Sequence, residues 1–110
     1  MKAFVLEYGE SKLKEMQEQA PKGNEVVVRL KTAGLNRRDL YIPNRQGSDK
    51  PALILGSDGA GIVEKVGAEV TRFKEGDEVI INPSLNWCEN SDAPPAELDI
   101  VGMPDHGTFA

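Results

Sequence analysis

The stretch Gly56-Ser57-Asp58-Gly59-Ala60-Gly61 constrains this chain more than any other. Three glycines within six residues bring backbone close to a neighbour, because glycine has no Cβ to clash. An apolar entry, Leu53-Ile54-Leu55, and a β-branched exit, Ile62-Val63, bracket them. Two readings stand. Glycines inside a strand pattern mark a bulge, a barrel corner or tight packing. Glycines beside a ligand let the backbone approach it. The spacing Gly56-x-x-Gly59-x-Gly61 is not G-x-G-x-x-G, and no phosphate-binding helix pattern follows, so the stretch is not a nucleotide fingerprint.

A chain of 110 residues is one domain of ordinary size. Its net charge of −5 argues against nucleic acid or an anionic membrane as partner, since both need a basic footprint. The single cysteine, Cys88, makes no internal disulfide and gives no reason to place the chain outside the cytosol. After Lys2 only Ala3-Phe4-Val5-Leu6 precede Glu7, too short an apolar run for a signal peptide or a membrane span. A soluble, cytoplasmic protein is expected.

Lys2 to Tyr8 predicts an opening strand, ended by Gly9. Ser11 to Ala20 is ambiguous: Leu13, Met16 and Ala20 have helical spacing among good helix formers, so local propensity favours a helix. Pro21-Lys22-Gly23-Asn24 is a turn. Glu25 to Lys31 is the cleanest strand, with Val26, Val28 and Leu30 alternating against Val27, Arg29 and Lys31. Asn36 to Tyr41 predicts one helical turn, with Asn36 as N-cap and Asp39 three residues on, as in a capping box. Pro43 to Pro51 is a polar loop, and Arg37, Arg38, Arg45 and Lys50 are expected to be solvated. Val70 and Phe73 are candidate anchors of the next connection. Glu75-Gly76-Asp77 is a tight turn, and Glu78 to Asn82 another strand. Asn82 to Gly107 has no period, and loops this long tend to be functional or disordered. Gly107 to Ala110 has the pattern of a strand beginning.

In this order the segments resemble the N-terminal catalytic domain of the medium-chain dehydrogenase/reductase superfamily. The carriers are Met1-Lys2-Ala3, Glu25 to Lys31, Ala33-Gly34-Leu35-Asn36-x-x-Asp39, Gly56-x-Asp58-x-Ala60-Gly61-Ile62-Val63-Glu64-x-Val66-Gly67, Phe73-Lys74-x-Gly76-Asp77-x-Val79 and Gly107-Thr108-Phe109-Ala110. The resemblance implies a mainly β fold with short helices, a GroES-like, partly open β-barrel, incomplete at the C-terminus. It also implies strand rather than helix around Leu13 to Glu18, with tertiary pairing overriding propensity.

The departures are equally informative. By resemblance, zinc-dependent members carry Cys at the position of Asn36 and His at that of Ser57. An amide and a hydroxyl are poor substitutes for thiolate and imidazole. The four-cysteine structural lobe has no counterpart, and Cys88 and His106 lack ligand spacing. No zinc is therefore expected. The resemblance is to the zinc-independent branch, the quinone oxidoreductases and enone reductases, whose Asn-x-x-Asp-x-Tyr motif matches Asn36, Asp39 and Tyr41. It implies that Asn36 and Tyr41 line the cleft near the nicotinamide and the substrate carbonyl, in both catalytic and cofactor-binding roles. It places Asp39, Ser57 and Asp58 in the substrate cleft. For Asn36 and Tyr41 the plainer readings, helix cap and packing residue, stand beside these roles. For Ser57 and Asp58 the plainer reading is a turn pair bonded to nearby backbone N–H groups. Arg37 and Arg38 are alternatives for a cofactor phosphate.

The family further implies NADPH or NADH as cofactor in the full-length protein, and a small carbonyl or quinone as substrate. No dinucleotide-binding unit of strand, glycine turn and helix lies within these residues. The expectation is an N-terminal fragment, inactive alone, that self-associates as a homo-oligomer through an unpaired edge near Gly107 to Ala110. The alternatives are a zinc alcohol dehydrogenase relative using Asp58, Cys88 and His106, or a stand-alone GroES-like binding or assembly module.

Overall fold

The protein is described here by a computed structural model covering residues 1–86, 92–93, 98–102 and 106–110. Strand β1 (Lys2–Glu7) turns directly into β2 (Glu10–Glu15), with Lys2 opposite Glu15 and Glu7 opposite Glu10. The two connecting residues, Tyr8 and Gly9, have φ of 48° and 79°. Paired positive φ values are those of a type I′ hairpin turn, whose twist suits the flanking strands. The helix favoured by local propensity between Ser11 and Ala20 does not form. The strand implied by the family resemblance does, a few residues earlier than expected. The helical spacing has no common core to serve: Met16 packs against Ala3, Val5 and Ile54, but Leu13 is 72% exposed. Lys12 and Lys14 instead reach across the hairpin to Glu7.

β1 is the centre of a first sheet ordered β2-β1-β4, where β4 is Leu53–Ile54. It contributes buried residues to both of its faces, although Lys2 and Phe4 are exposed. Ala3 and Val5 join Ile54 on one side, with Met16 and Ala52 packed against them. Leu6 joins Ile42, Leu53 and Leu55 on the other, with Phe109 alongside.

The second sheet is antiparallel, ordered β3-β5-β6, with β3 at Val26–Gly34, β5 at Asp58–Val66 and β6 at Glu78–Ile80. The β3–β5 register slips between Val27 and Val28 and again between Leu30 and Thr32. Gly61 stands at the second slip, and a Cβ there would lie 2.1 Å from the Arg29 carbonyl oxygen. At Gly59 a Cβ would meet Leu30 Cδ2 at 2.9 Å. Gly56 has φ +94° and packs against the Phe109 ring. The glycine run is thus a strand laid tightly against its neighbours, the packing reading of the two.

Between β3 and β4 in the chain comes α1 (Arg38–Arg45), which contains Pro43 and so reaches beyond the single turn expected at Asn36–Tyr41, into the stretch expected to be loop. Tertiary docking offsets the hydrogen bond that Pro43 cannot donate: Ile42, 1% exposed, is buried against Leu6, Leu53 and Leu55. The tight turn at Gly76 forms as expected, with φ +93° and the Lys74 N–H bonded to Asp77 Oδ2 at 3.0 Å. Phe73, expected as an anchor, is 43% exposed.

Within the long aperiodic stretch, β7 (Ser84–Leu85) and β8 (Asp99–Ile100) form a short antiparallel ribbon. The edge expected to be unpaired at Gly107–Ala110 is already bonded. Gly107, Thr108 and Phe109 N–H groups donate to the carbonyls of Ile54, Gly56 and Leu55 at 2.7, 3.0 and 2.9 Å, and the Phe109 carbonyl accepts Phe4 N–H at 2.7 Å. Sheet edges remain at β2, β3 and β6. The sheets do not close on each other, and the architecture is a partial GroES-like barrel with one helix among the described residues.

Candidate functional site

The site is organised by the pairing of Gly34, the last residue of β3, with Asp58, the first of β5. A Cβ at Gly34 would lie 3.1 Å from Asp58 Cβ, so glycine leaves the Asp58 carboxylate room beside the chain leaving β3. Two residues on, Asn36 turns back to meet it: Asn36 Nδ2 donates to Asp58 Oδ2 at 2.6 Å. The backbone N–H of Asn36 donates to Asp39 Oδ2 at 2.8 Å.

The capping box is therefore half formed. Asp39 reaches back as expected, but Asn36 is not the cap. Arg37 is the N-cap, and no side chain caps the helix. The charge-assisted bond to Asp58 instead holds the Asn36 side chain toward β5. Asp39 Oδ1 is buried with no partner among the described residues.

Ser57 and Asp58 do not form a turn pair bonded to nearby backbone N–H groups. Ser57, 5% exposed, donates from Oγ to the Val101 carbonyl at 2.6 Å and accepts Arg38 Nη1 at 2.9 Å. Its partners come from α1 and from the residue after β8, so the contacts are tertiary. Arg38, expected to be solvated, is half-buried by this bond, whereas Arg37 is exposed. Nothing in the local sequence separates the two arginines; only the rotation of α1 does. Thr108, also 5% exposed, was not singled out from the sequence; its hydroxyl donates to the Asp58 carbonyl at 2.9 Å.

Tyr41 lies one turn into α1 and is 47% exposed. Leu35 and Leu40, its neighbours along the chain, are 87% and 75% exposed. The structure thus joins Asn36, Asp39 and Asp58 in one hydrogen-bonded group and ties Ser57 to Arg38. Tyr41 stands on the same segment without a bond to any of them. A separate groove of about 520 Å³ runs along β3 from Val26 to Leu30, walled by Met16 to Gln19, His106 and Ala110. None of the five candidate site residues lines it.

A metal ion finds little here. Asn36 leaves only a neutral amide carbonyl, and Ser57 has a guanidinium on its hydroxyl, a positive charge where a dication would need a donor. Among the described residues no group of three or more His, Cys, Asp or Glu is placed to hold a metal. Cys88 lies outside the described residues. His106 Nδ1 accepts the Ile54 N–H at 3.1 Å, which leaves that nitrogen no lone pair for a metal.

Comparison with known proteins agrees with this fold. Residues 22–110 match the model of the alcohol dehydrogenase GroES-like domain. The chain belongs to this family, within the medium-chain dehydrogenases/reductases. A zinc-type alcohol dehydrogenase-like protein of Schizosaccharomyces pombe is 42% identical over 89 residues, 77% of this chain and 25% of that protein. A quinone oxidoreductase of Mus musculus is 37% identical over 111 aligned positions, 96% of this chain and 34% of that protein. The crystal structure of an NAD-dependent alcohol dehydrogenase superposes with a TM-score of 0.85 at 32% identity, covering 100% of this chain and 36% of that one. The chain spans about a quarter to a third of the length of these relatives. Among the described residues, no helix is long and apolar enough to cross a membrane.

Proposed function

We propose that this chain is the GroES-like part of a zinc-independent, NAD(P)H-dependent oxidoreductase that reduces quinones, enones or related carbonyl compounds. The observation that carries this is the occupancy of two positions. Where the resemblance puts a thiolate and an imidazole in zinc enzymes, this chain has Asn36 bonded to Asp58 and Ser57 bonded to Arg38. Neither supplies the thiolate or imidazole that zinc favours: Asn36 leaves only a neutral amide carbonyl, and the Ser57 hydroxyl already accepts the Arg38 guanidinium. The relative named a quinone oxidoreductase supports the substrate class.

The segment around Asn36 carries exposed apolar and aromatic side chains, Leu35, Leu40 and Tyr41, of the kind that line sites for flat heteroaromatic groups. When bound, a reduced nicotinamide supplies the hydride. The chain's own residues orient the partners and stabilise the charge that develops on the carbonyl oxygen. The Tyr41 phenol is a neutral donor suited to this, and such a donor in a water-excluded cleft replaces a Lewis acid. Asn36 retains one N–H and its amide carbonyl for a ligand.

The nucleotide-binding unit belongs, in this reading, to the same polypeptide outside these residues, and the GroES-like part alone supplies one wall of the cleft. One observation favours a second reading: the relative from Schizosaccharomyces pombe is named zinc-type. A zinc alcohol dehydrogenase relative would need other ligands, such as Asp58, Cys88 and His106.

The test is oxidation of NADPH and NADH by the protein purified as its cell makes it, with a panel of quinones and enones. Turnover with at least one acceptor is expected, and Tyr41→Phe is expected to lower kcat about 100-fold, the scale of a lost oxyanion donor. Absence of turnover with every acceptor, together with zinc-dependent oxidation of alcohols, would overturn the proposal.

A further inference from the structure

Asp58 is a carboxylate in the candidate site to which hydride chemistry assigns no task. We propose that Asp58 is a positioning residue: it fixes the Asn36 amide with its carbonyl turned to the open side, so that Asn36 recognises a hydrogen-bond donor on the ligand and Tyr41 is left as the donor to the developing oxyanion. The assignment of Tyr41 rests on the function proposed above; the orientation of Asn36 does not.

The orientation follows from donor and acceptor chemistry. An ionised carboxylate only accepts. At 2.6 Å from Asp58 Oδ2, the Asn36 side chain must present Nδ2, because the flipped amide would set two acceptors against each other. The flipped setting would also forfeit the charge-assisted bond to Asp58. Oδ1 of Asn36 accepts no hydrogen bond among the described residues, and Asn36 is exposed.

Asp58 itself is rigidly held. It is a paired residue of β5, opposite Gly34, and its carbonyl accepts the buried Thr108 hydroxyl. A positioning group on a strand holds its target more closely than one on a loop. The same geometry argues against Asn36 as the main oxyanion donor. Its N–H side faces Asp58, and a second carboxylate, Asp39, lies on its backbone side. Negative charge developing there would meet two negative groups. A ligand amide N–H or hydroxyl meets a free carbonyl.

Side-chain amide NMR of the protein as its cell makes it, with asparagine labelled selectively, tests this directly. In the wild type, one Asn36 Hδ2 proton is expected well downfield of its partner and of free asparagine, as for a proton held by a carboxylate. Asp58→Asn and Asp58→Ala are both expected to bring the two protons to free-amide positions, and Ser57→Ala to leave the downfield proton in place. Asn36 protons at free-amide positions in the wild type, or unmoved by both Asp58 variants, would overturn the positioning role without reference to catalysis. Nicotinamide, which carries a primary carboxamide, is the ligand probe. Its addition is expected to shift the Asn36 Cγ and Hδ2 resonances in the wild type and not in Asp58→Ala. An intact downfield proton with no response to nicotinamide would overturn the recognition half. In the protein as its cell makes it, Asp58→Asn is expected to raise the cofactor KM about tenfold with little change in kcat, the reverse of Tyr41→Phe. Equal losses of kcat in both would contradict the division of labour.

Discussion

Replacing Gly61 by alanine separates the two meanings a glycine-rich strand can have. An added Cβ would lie 2.1 Å from the Arg29 carbonyl oxygen, 2.8 Å from its carbonyl carbon and 2.9 Å from Leu30 Cα. These are backbone atoms, so no side chain can rotate away. Relief requires β3 and β5 to part by roughly 1 Å, enough to stretch an N–H···O bond beyond useful length. Losing two or three such bonds at ~1 kcal/mol each, with packing strain of ~1–3 kcal/mol, gives a cost of about 3–6 kcal/mol. That is a large share of a typical domain stability of ~5–15 kcal/mol. Urea unfolding followed by far-UV circular dichroism measures it. Gly76→Ala is the control: nothing lies within 4 Å, and only its φ of +93° opposes a side chain, at ~1–2 kcal/mol. A Gly61→Ala cost below about 1 kcal/mol, or below that of Gly76→Ala, would refute the packing account.

Other outcomes follow from the same contacts. Ile42→Ala, which empties the seat of α1, is expected to lower stability by ~2–5 kcal/mol and to loosen the Arg38–Ser57 bond, seen as chemical-shift change at Ser57. Thr108→Val leaves the Asp58 carbonyl without its donor and is expected to cost ~1–3 kcal/mol in the same urea assay. Glu7, Glu64 and Asp77 are held below their ordinary pKa values, by hydrogen bonds from Lys14 and Lys12, from Arg29, and from the backbone and side chain of Lys74 respectively. The unfolded chain then binds more protons than the folded one in acid. Their contribution is complete above the ordinary carboxylate range and is lost as pH falls through and below it. Thermal melts between neutral and acid pH check this: Glu64→Gln is expected to flatten the acid limb, and added salt to weaken it.

How much of this was legible depended on the range of the interaction. β3 could be read from Val26, Val28 and Leu30 because alternation is a local signal, although in the fold all three, and Val27 with them, are half-buried. The Gly76 turn was legible for the same reason. The β1–β2 hairpin was less so. Tyr8-Gly9 is not a familiar I′ pair, and the lysines of β2 favour helix until Glu7 and the β1 edge are supplied as partners. α1 was read too short, because Pro43 signals a break locally while Ile42 finds a core only in the folded chain. At the site, the identities of Asn36, Asp39, Tyr41, Ser57 and Asp58 were in view, but not their partners. Asp58 meets Asn36 only because β3 and β5 pair at Gly34, and Ser57 meets Arg38 only because α1 docks on Leu6 and Leu55. Thr108 was in view only as part of the Gly107–Ala110 pattern, because a threonine in an apparent strand carries no local signal of a bond to a carbonyl 50 residues away.

Zinc independence is tested most directly by one assay: NADPH oxidation with a responsive quinone or enone, by the protein as its cell makes it, before and after exhaustive treatment with a zinc chelator. The account predicts an unchanged rate and less than stoichiometric zinc in the active protein. Loss of the rate on chelation, with recovery on returning one zinc ion per chain, would contradict it.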